Sequence, residues 1–227
     1  MTEINSSPII TGIGNFMMNK KVCLSGLNTG ESIEKAYNDL AKRKGIKRIK
    51  DIKTMPLVIP AVDISDSKEY IFTNNIPKIN SENINDKEHP QYITDISIGK
   101  AVRASSSFPG VFCPCDFEKH KFLDGGVLDN IPVIEVKKQG VQKVIAVNFK
   151  ADDINEESNV MDIAMRTIDI MGNKISEESI AQSDYLLTIS TDKTGLLDVE
   201  KLDECYKYGY KETIRNMKNI KDILSHT

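Results

Sequence analysis

No stretch of this 227-residue chain is apolar enough to cross a bilayer. The most apolar run, MPLVIPAV, is far shorter than the roughly 20 residues a spanning helix needs. The opening MTEINSSPIITGIGNFMMNKK lacks the sustained apolar core of a secretory signal, so the expected location is cytoplasmic, with any membrane contact peripheral. Basic charge is not in excess: 30 Lys and Arg against 33 Asp and Glu give a net charge of -3, which argues against a nucleic-acid partner. Four cysteines are few for a disulfide scaffold of this size and fit reduced thiols. Only three histidines occur, His89, His120 and His226, and none sits in a context that suggests a catalytic relay. There is no internal repeat.

With 40% hydrophobic residues the chain can bury a core, most simply in one α/β domain. Residues 1–29 show no strong periodicity. GESIEKAYNDLAKRKG sets Ile33, Ala36, Tyr37 and Leu40 at helical spacing and stops at Gly45. MPLVIPAVDIS and EYIFT read as strands joined by the turn SDSK. Residues 74–92 are polar, rich in Asn and interrupted by Pro77 and Pro90, a long loop suited to covering a cleft. DISIGKAVRASSSF reads as a helix stopped by Pro109, and KFLDGG as a short strand ending in a tight turn. VIEVKKQG follows as a short helix, then KVIAVNF as a strand buried on both faces, which together make a βαβ crossover. A helix over VMDIAMRTIDIMGNKISEESIAQ, a strand DYLLTIS and a C-terminal helix continue the alternation. The expected fold is three-layer α/β/α with a mainly parallel sheet.

The segment KFLDGGVLDNIP concentrates the interest. A side chain at the carboxyl end of a parallel strand faces the crevice where ligands bind in open α/β sheets, and Asp124 is expected there. Gly125 and Gly126 remove Cβ atoms, which lets the backbone turn sharply or approach another segment closely. Asn130 can tie the turn down by hydrogen bonds. On spacing alone the plainer reading is a strand-exit turn whose aspartate caps backbone N–H groups.

AVRASSSFPGVF followed by FLDGGVLDNIPV resembles the second half of the patatin-like phospholipase domain, in the family's order and at a fitting spacing. The strands IKDIKTMPLVIPAVDIS and KVIAVNF also fit, so the resemblance covers about residues 25–150. Residues 151–227 add helices and one strand without a motif. The resemblance implies a single, partial patatin-like domain over residues 1–227 and a serine–aspartate dyad that hydrolyses phospholipids or other acyl lipids. Asp124 matches the family's aspartate, which takes the serine's proton directly, and Gly125, Gly126 and Asn130 shape its turn. No cofactor is implied. The family's nucleophile lies in G-x-S-x-G and its oxyanion hole in an earlier glycine-rich loop. Neither is present: Ser25 in CLSGL, Ser32 in GESIE and Ser97 in DISIG each lack a required glycine, and TGIGN is too short for the oxyanion loop. The chain therefore reads as the domain without its first portion. The missing N-terminal segment would act as a partner, and the rival reading is an inactive remnant or a lipid- or partner-binding module.

Other constellations have plain readings. Cys113, Cys115 and His120 make a poor tetrahedral zinc set, so no metal is expected. Ser105, Ser106 and Ser107 read as small residues that permit close packing by the aspartate. Seven basic residues lie in KRKGIKRIKDIK, residues 42–53, and suit anionic headgroups; a solvated helix end explains them as well. Asp152 and Asp153 read as a polar strand exit.

Overall fold

The computed structural model describes residues 26–78, 90–150, 160–191 and 199–225. The readings placed on Thr11–Asn15, Cys23, Ser25, His89, Asp152, Asp153, His226 and the middle of the long loop lie outside these residues. The chain divides into two compact units, 1–128 and 129–227.

In the first unit, β1 (Gly26–Asn28) leads into α1 (Glu31–Arg43). Gly30 enters the helix at a φ of 69° and Gly45 leaves it at 72°, both left-handed conformations that glycine adopts without a Cβ clash. Next come β2 (Val58–Asp63) and β3 (Lys68–Thr73), an antiparallel hairpin, then the three-residue β4 (Gln91–Ile93), parallel to β3. α2 (Ile98–Ser105) is followed by β5 (Gly110–Phe112), β6 (Cys115–Phe117) and β7 (His120–Asp124). β1 and β5 pair in parallel, and the main sheet has the order β4-β3-β2-β7-β6.

The class is α/β, with a five-stranded sheet flanked by helices. That sheet is mixed: β2–β3, β2–β7 and β6–β7 are antiparallel and only β3–β4 is parallel, where strand–helix alternation predicts a mainly parallel sheet. Strands β4, β5 and β6 are three residues long, too short to show an alternating pattern, and β6 forms a hairpin with β7 that no helix separates. Tyr70, Phe72 and Phe122 meet edge to face at ring centroid separations of 5.3 and 5.1 Å, joining β3 to β7. Ile49, Ala61, Ile96, Ala101, Ala104 and Cys115 complete this core. Small residues on α2 follow from this packing, and α2 also lies hard against α1: a Cβ on Gly99 would overlap the Glu34 carbonyl oxygen. The Gly99 N–H donates to Asn38 Oδ1 at 2.9 Å.

The second unit contains α3 (Val133–Lys137), β8 (Ile145–Lys150), α4 (Val160–Ile175), α5 (Glu177–Ala181), β9 (Tyr185–Ser190) and α6 (Leu202–Ser225). β8 and β9 pair in parallel, so the parallel crossover runs through α4 and α5. The expected crossover from KFLDGG through α3 to KVIAVNF is not made, because β7 belongs to the five-stranded sheet and β8 pairs with β9. Nor is β8 buried on both faces: Val147 and Phe149 are 44% and 60% exposed. The single helix expected over residues 160–182 is broken at Ser176, which is fully buried and accepts the Asn130 N–H on its Oγ at 2.9 Å. Asp184 fixes the start of the strand pair by accepting the Val144 N–H at 2.9 Å.

Candidate active site

Asp124 is the last residue of β7, opposite Ala61 of antiparallel β2, so the expected parallel-strand exit is corrected to an antiparallel one. Its backbone N–H donates to the carbonyl of Ser107, just past the end of α2, at 3.1 Å. Its side chain begins a short 3-10 turn, Gly125–Val127, with Oδ1 accepting the Gly126 N–H at 2.8 Å. Among the described residues Oδ2 has no hydrogen-bond partner. Burial pushes the carboxyl above its ordinary value, and the Gly126 N–H only partly opposes this. One oxygen thus holds the turn while the other remains able to accept a proton.

The two glycines have different reasons. Neither has a positive φ. A Cβ on buried Gly125 would come within 2.6 Å of the Pro60 carbonyl oxygen, so it is the close approach of β2 that requires glycine there. Gly126 contributes the N–H that orients the carboxylate. Asn130 is exposed and belongs to the second unit; it is anchored through its main chain, by the Ser176 bond, and its side chain makes no hydrogen bond among the described residues.

Ser97 is the N-cap of α2, with Oγ accepting the Lys100 N–H at 3.2 Å, and Gly99 serves the α1–α2 contact. DISIG is therefore a helix start. Ser32 lies within the first turn of α1. Of the three consecutive serines, Ser107 is fully buried and its Oγ donates to the Arg103 carbonyl at 2.7 Å, so the close packing expected of it includes a hydrogen bond. Cys113 is disulfide-bonded, which corrects the expectation of four reduced thiols, whereas Cys115 and Cys205 are free. In the basic stretch, Arg48 and Lys50 pair with Asp95 at 2.9 and 2.7 Å, and Lys42, Arg43, Lys44 and Lys47 are exposed.

Three polar features escape a reading by motif. Asp63, 1% exposed, accepts from the Ser65 and Lys121 N–H groups and lies 2.6 Å from His120 Nδ1. Burial alone would raise its pKa, but these three donors together hold it below the ordinary value. Arg103, 5% exposed, sits within α2. In the second unit, burial and then the nearby Glu135 push Asp129 up to about 6, and its Oδ1 is buried without a hydrogen-bond partner. A charged residue among apolar neighbours, as in AVDIS and AVRAS, was the available signal for the first two.

Among the described residues no helix is long and apolar enough to cross a membrane, and no group of three His, Cys, Asp or Glu side chains is arranged to hold a metal. Residues 12–137 match the family described as Patatin-like phospholipase. Among curated proteins, the chain is 33% identical to the lysophospholipase NTE1 of Candida albicans over 137 residues, which is 48% of this chain and 10% of that protein. It is 31% identical to lysophospholipase NTE1 of Scheffersomyces stipitis over 135 residues, 48% of this chain and 9% of that one. An uncharacterized protein of Bacillus subtilis, YqhO, is 29% identical over 128 residues, 55% of this chain and 40% of its own length. The chain thus spans about a tenth of the fungal relatives. The family match covers more than half of the chain and includes α2, the β6–β7 hairpin and the Asp124 turn. The chain belongs to the patatin-like phospholipase family of lipid hydrolases.

Proposed function

We propose that this chain carries the base of a serine lipid acyl hydrolase, with Asp124 accepting the proton of a serine hydroxyl as that oxygen attacks an ester carbonyl. The observation that carries the reading is the divided state of the carboxylate: Oδ1 is held by the Gly126 N–H, and Oδ2 is without a hydrogen-bond partner among the described residues. A base needs a fixed orientation, a vacant lone pair and a pKa raised toward the working pH. Asp124 meets all three. Gly125 and Gly126 set the turn that presents it, and the proposed substrate is an acyl lipid or phospholipid, reached by peripheral contact from the cytoplasmic side of a membrane. No residue of this sequence lies in G-x-S-x-G, so the serine is proposed to come from a segment outside these 227 residues.

The test compares two preparations. The chain alone should not hydrolyse a nitrophenyl ester above the level of a heat-denatured sample, and a fluorophosphonate probe should label none of its serines. Joined in frame to a preceding segment that bears G-x-S-x-G, it should hydrolyse the ester, and Asp124→Asn should lower the rate by about 10² or more. Hydrolysis by the joined protein that survives Asp124→Asn overturns the reading. If the joined protein is inert although folded, the binding-module reading replaces it. That alternative draws on Ser97, whose hydroxyl is used as a helix cap.

A further inference from the structure

Ser107, just past the end of α2, is fully buried, and each of its polar groups is engaged. Its N–H donates to the Ala104 carbonyl at 3.1 Å, its hydroxyl donates to the Arg103 carbonyl at 2.7 Å and accepts from the Arg103 guanidinium, and its own carbonyl accepts the Asp124 N–H at 3.1 Å. The last of these bonds stands in for a strand. β6 reaches no further than Cys115, opposite Phe122, so on the edge away from β2 the final residue of β7 is held by this carbonyl.

Arg103 keeps Ser107 in place. Its guanidinium fans out to three segments: Nε donates to the Thr29 carbonyl at 2.5 Å, where β1 leads into α1, Nη2 to the Cys113 carbonyl at 2.6 Å, just after β5, and Nη1 to Ser107 Oγ. β1 and β5 are themselves paired, so two of the three acceptors belong to one braced pair of strands. A planar guanidinium donates in several fixed directions at once, whereas the single nitrogen of a lysine cannot reach three such divergent acceptors. Burial and the Gly126 N–H shift the Asp124 carboxyl, so Arg103 bears on it through position and not through charge.

We propose that Arg103 is a positioning residue for Asp124: it anchors Ser107 to the paired strands β1 and β5, and Ser107 in turn fixes the end of β7 from which the carboxylate projects. The Ser107 carbonyl holds the main chain of Asp124 and the Gly126 N–H holds its side chain, so the two together set the direction of the carboxyl group. Once the anchor is cut, the end of β7 frays by a residue while the aromatic core beneath it stays packed. The consequence for hydrolysis rests on the reading of Asp124 as the base; the tether itself does not.

The test is amide hydrogen exchange of the 227-residue chain, followed by NMR. Arg103→Lys should speed exchange of the Asp124 and Gly126 N–H groups by about tenfold while leaving the amides of the β2–β3 hairpin unchanged. In the same variant the Asp124 carboxyl, followed by carbon-13 NMR, should titrate closer to the ordinary value as its end of the strand opens to water. Ser107→Ala should act in the same direction by about threefold, and the double variant should be no worse than Arg103→Lys alone, because both cut one tether. If Arg103→Lys does not fold, Ser107→Ala carries the test: a selective rise at Asp124 supports the proposal and its absence overturns it. Equal acceleration at every amide of the first unit overturns it as well, since that is the mark of a packing role only, and so do additive effects in the double variant. In the joined protein, Arg103→Lys should lower kcat by about tenfold at unchanged KM, and an unchanged kcat overturns the positioning role. An inert joined protein would instead sink the reading of Asp124 as the base and leave the exchange result standing.

Discussion

The two units of this chain solve burial differently. The first gathers nine residues, from Ile49 to Phe122, into one core on its sheet, and its described residues leave only Met55, Ile64 and Ile76 as strongly exposed large hydrophobics. Among its described residues the second has a cluster of three buried residues, Val133, Val144 and Ala146, and exposes twelve large hydrophobics, including Phe149, Ile170, Met171 and Leu186. A two-stranded parallel pair has few neighbours on which to bury its faces, whereas five strands with helices upon them enclose one. The difference places the candidate base where the framework is rigid. Asp124 is fixed by a strand pair, a helix end and a glycine contact, all within the first unit.

The comparison breaks most visibly at Phe122. Phe122→Ala removes a fully buried ring from between Tyr70 and Phe72 and should cost about 3–5 kcal/mol, seen as a large fall in the denaturation midpoint of the first unit. A cost under about 1 kcal/mol would mean that this core is no better packed than its neighbour. Gly125→Ala should come next, at about 1–3 kcal/mol, since β2 must move away from the added methyl group. Thermal melts of the variant would decide whether close approach, rather than turn flexibility, is what this position demands.

Two smaller effects sharpen the contrast from the other side. Asp129 has a folded-state pKa of about 6, above the ordinary 3.8, so the folded state holds its proton more tightly than the unfolded one. Its ionisation therefore weakens the second unit as pH rises from about 4 to about 6, and Asp129→Asn should flatten that part of a melting-temperature profile. An unchanged slope would exclude Asp129 as its source. Smallest of all, Phe149→Lys on the exposed side of β8 should alter stability by no more than about 0.5 kcal/mol while reducing self-association measured by sedimentation. A large loss of stability would show that the Phe149 side chain is needed within the fold.

Much of this was legible in advance because it rests on local rules. The glycine stops at Gly45 and Gly140, the helices over GESIEKAYNDLAKR and the DGG turn all follow from backbone freedom and periodicity. The directions of the strands do not, since alternation along a chain says which elements form but not which neighbours they pair with. Strands β5 and β6 were hidden by their length, and the partners of Arg103 by distance along the chain: AVRASSSF shows a charge among apolar residues, but only the folded chain puts three acceptors around it. The separate tasks of Gly125 and Gly126 were equally invisible, because two identical letters conceal one steric demand and one hydrogen bond.

The seam between α1 and α2 also sets a timetable. The bond from Gly99 to Asn38 spans 61 residues of sequence, and at about 5–20 residues per second a ribosome needs roughly 3–12 s to supply the second partner after the first. Alone in water, a helix of 13 residues is at the lower limit of persistence. During synthesis, α1 must therefore wait unfinished for the segment that also brings the Asp124 turn close behind it.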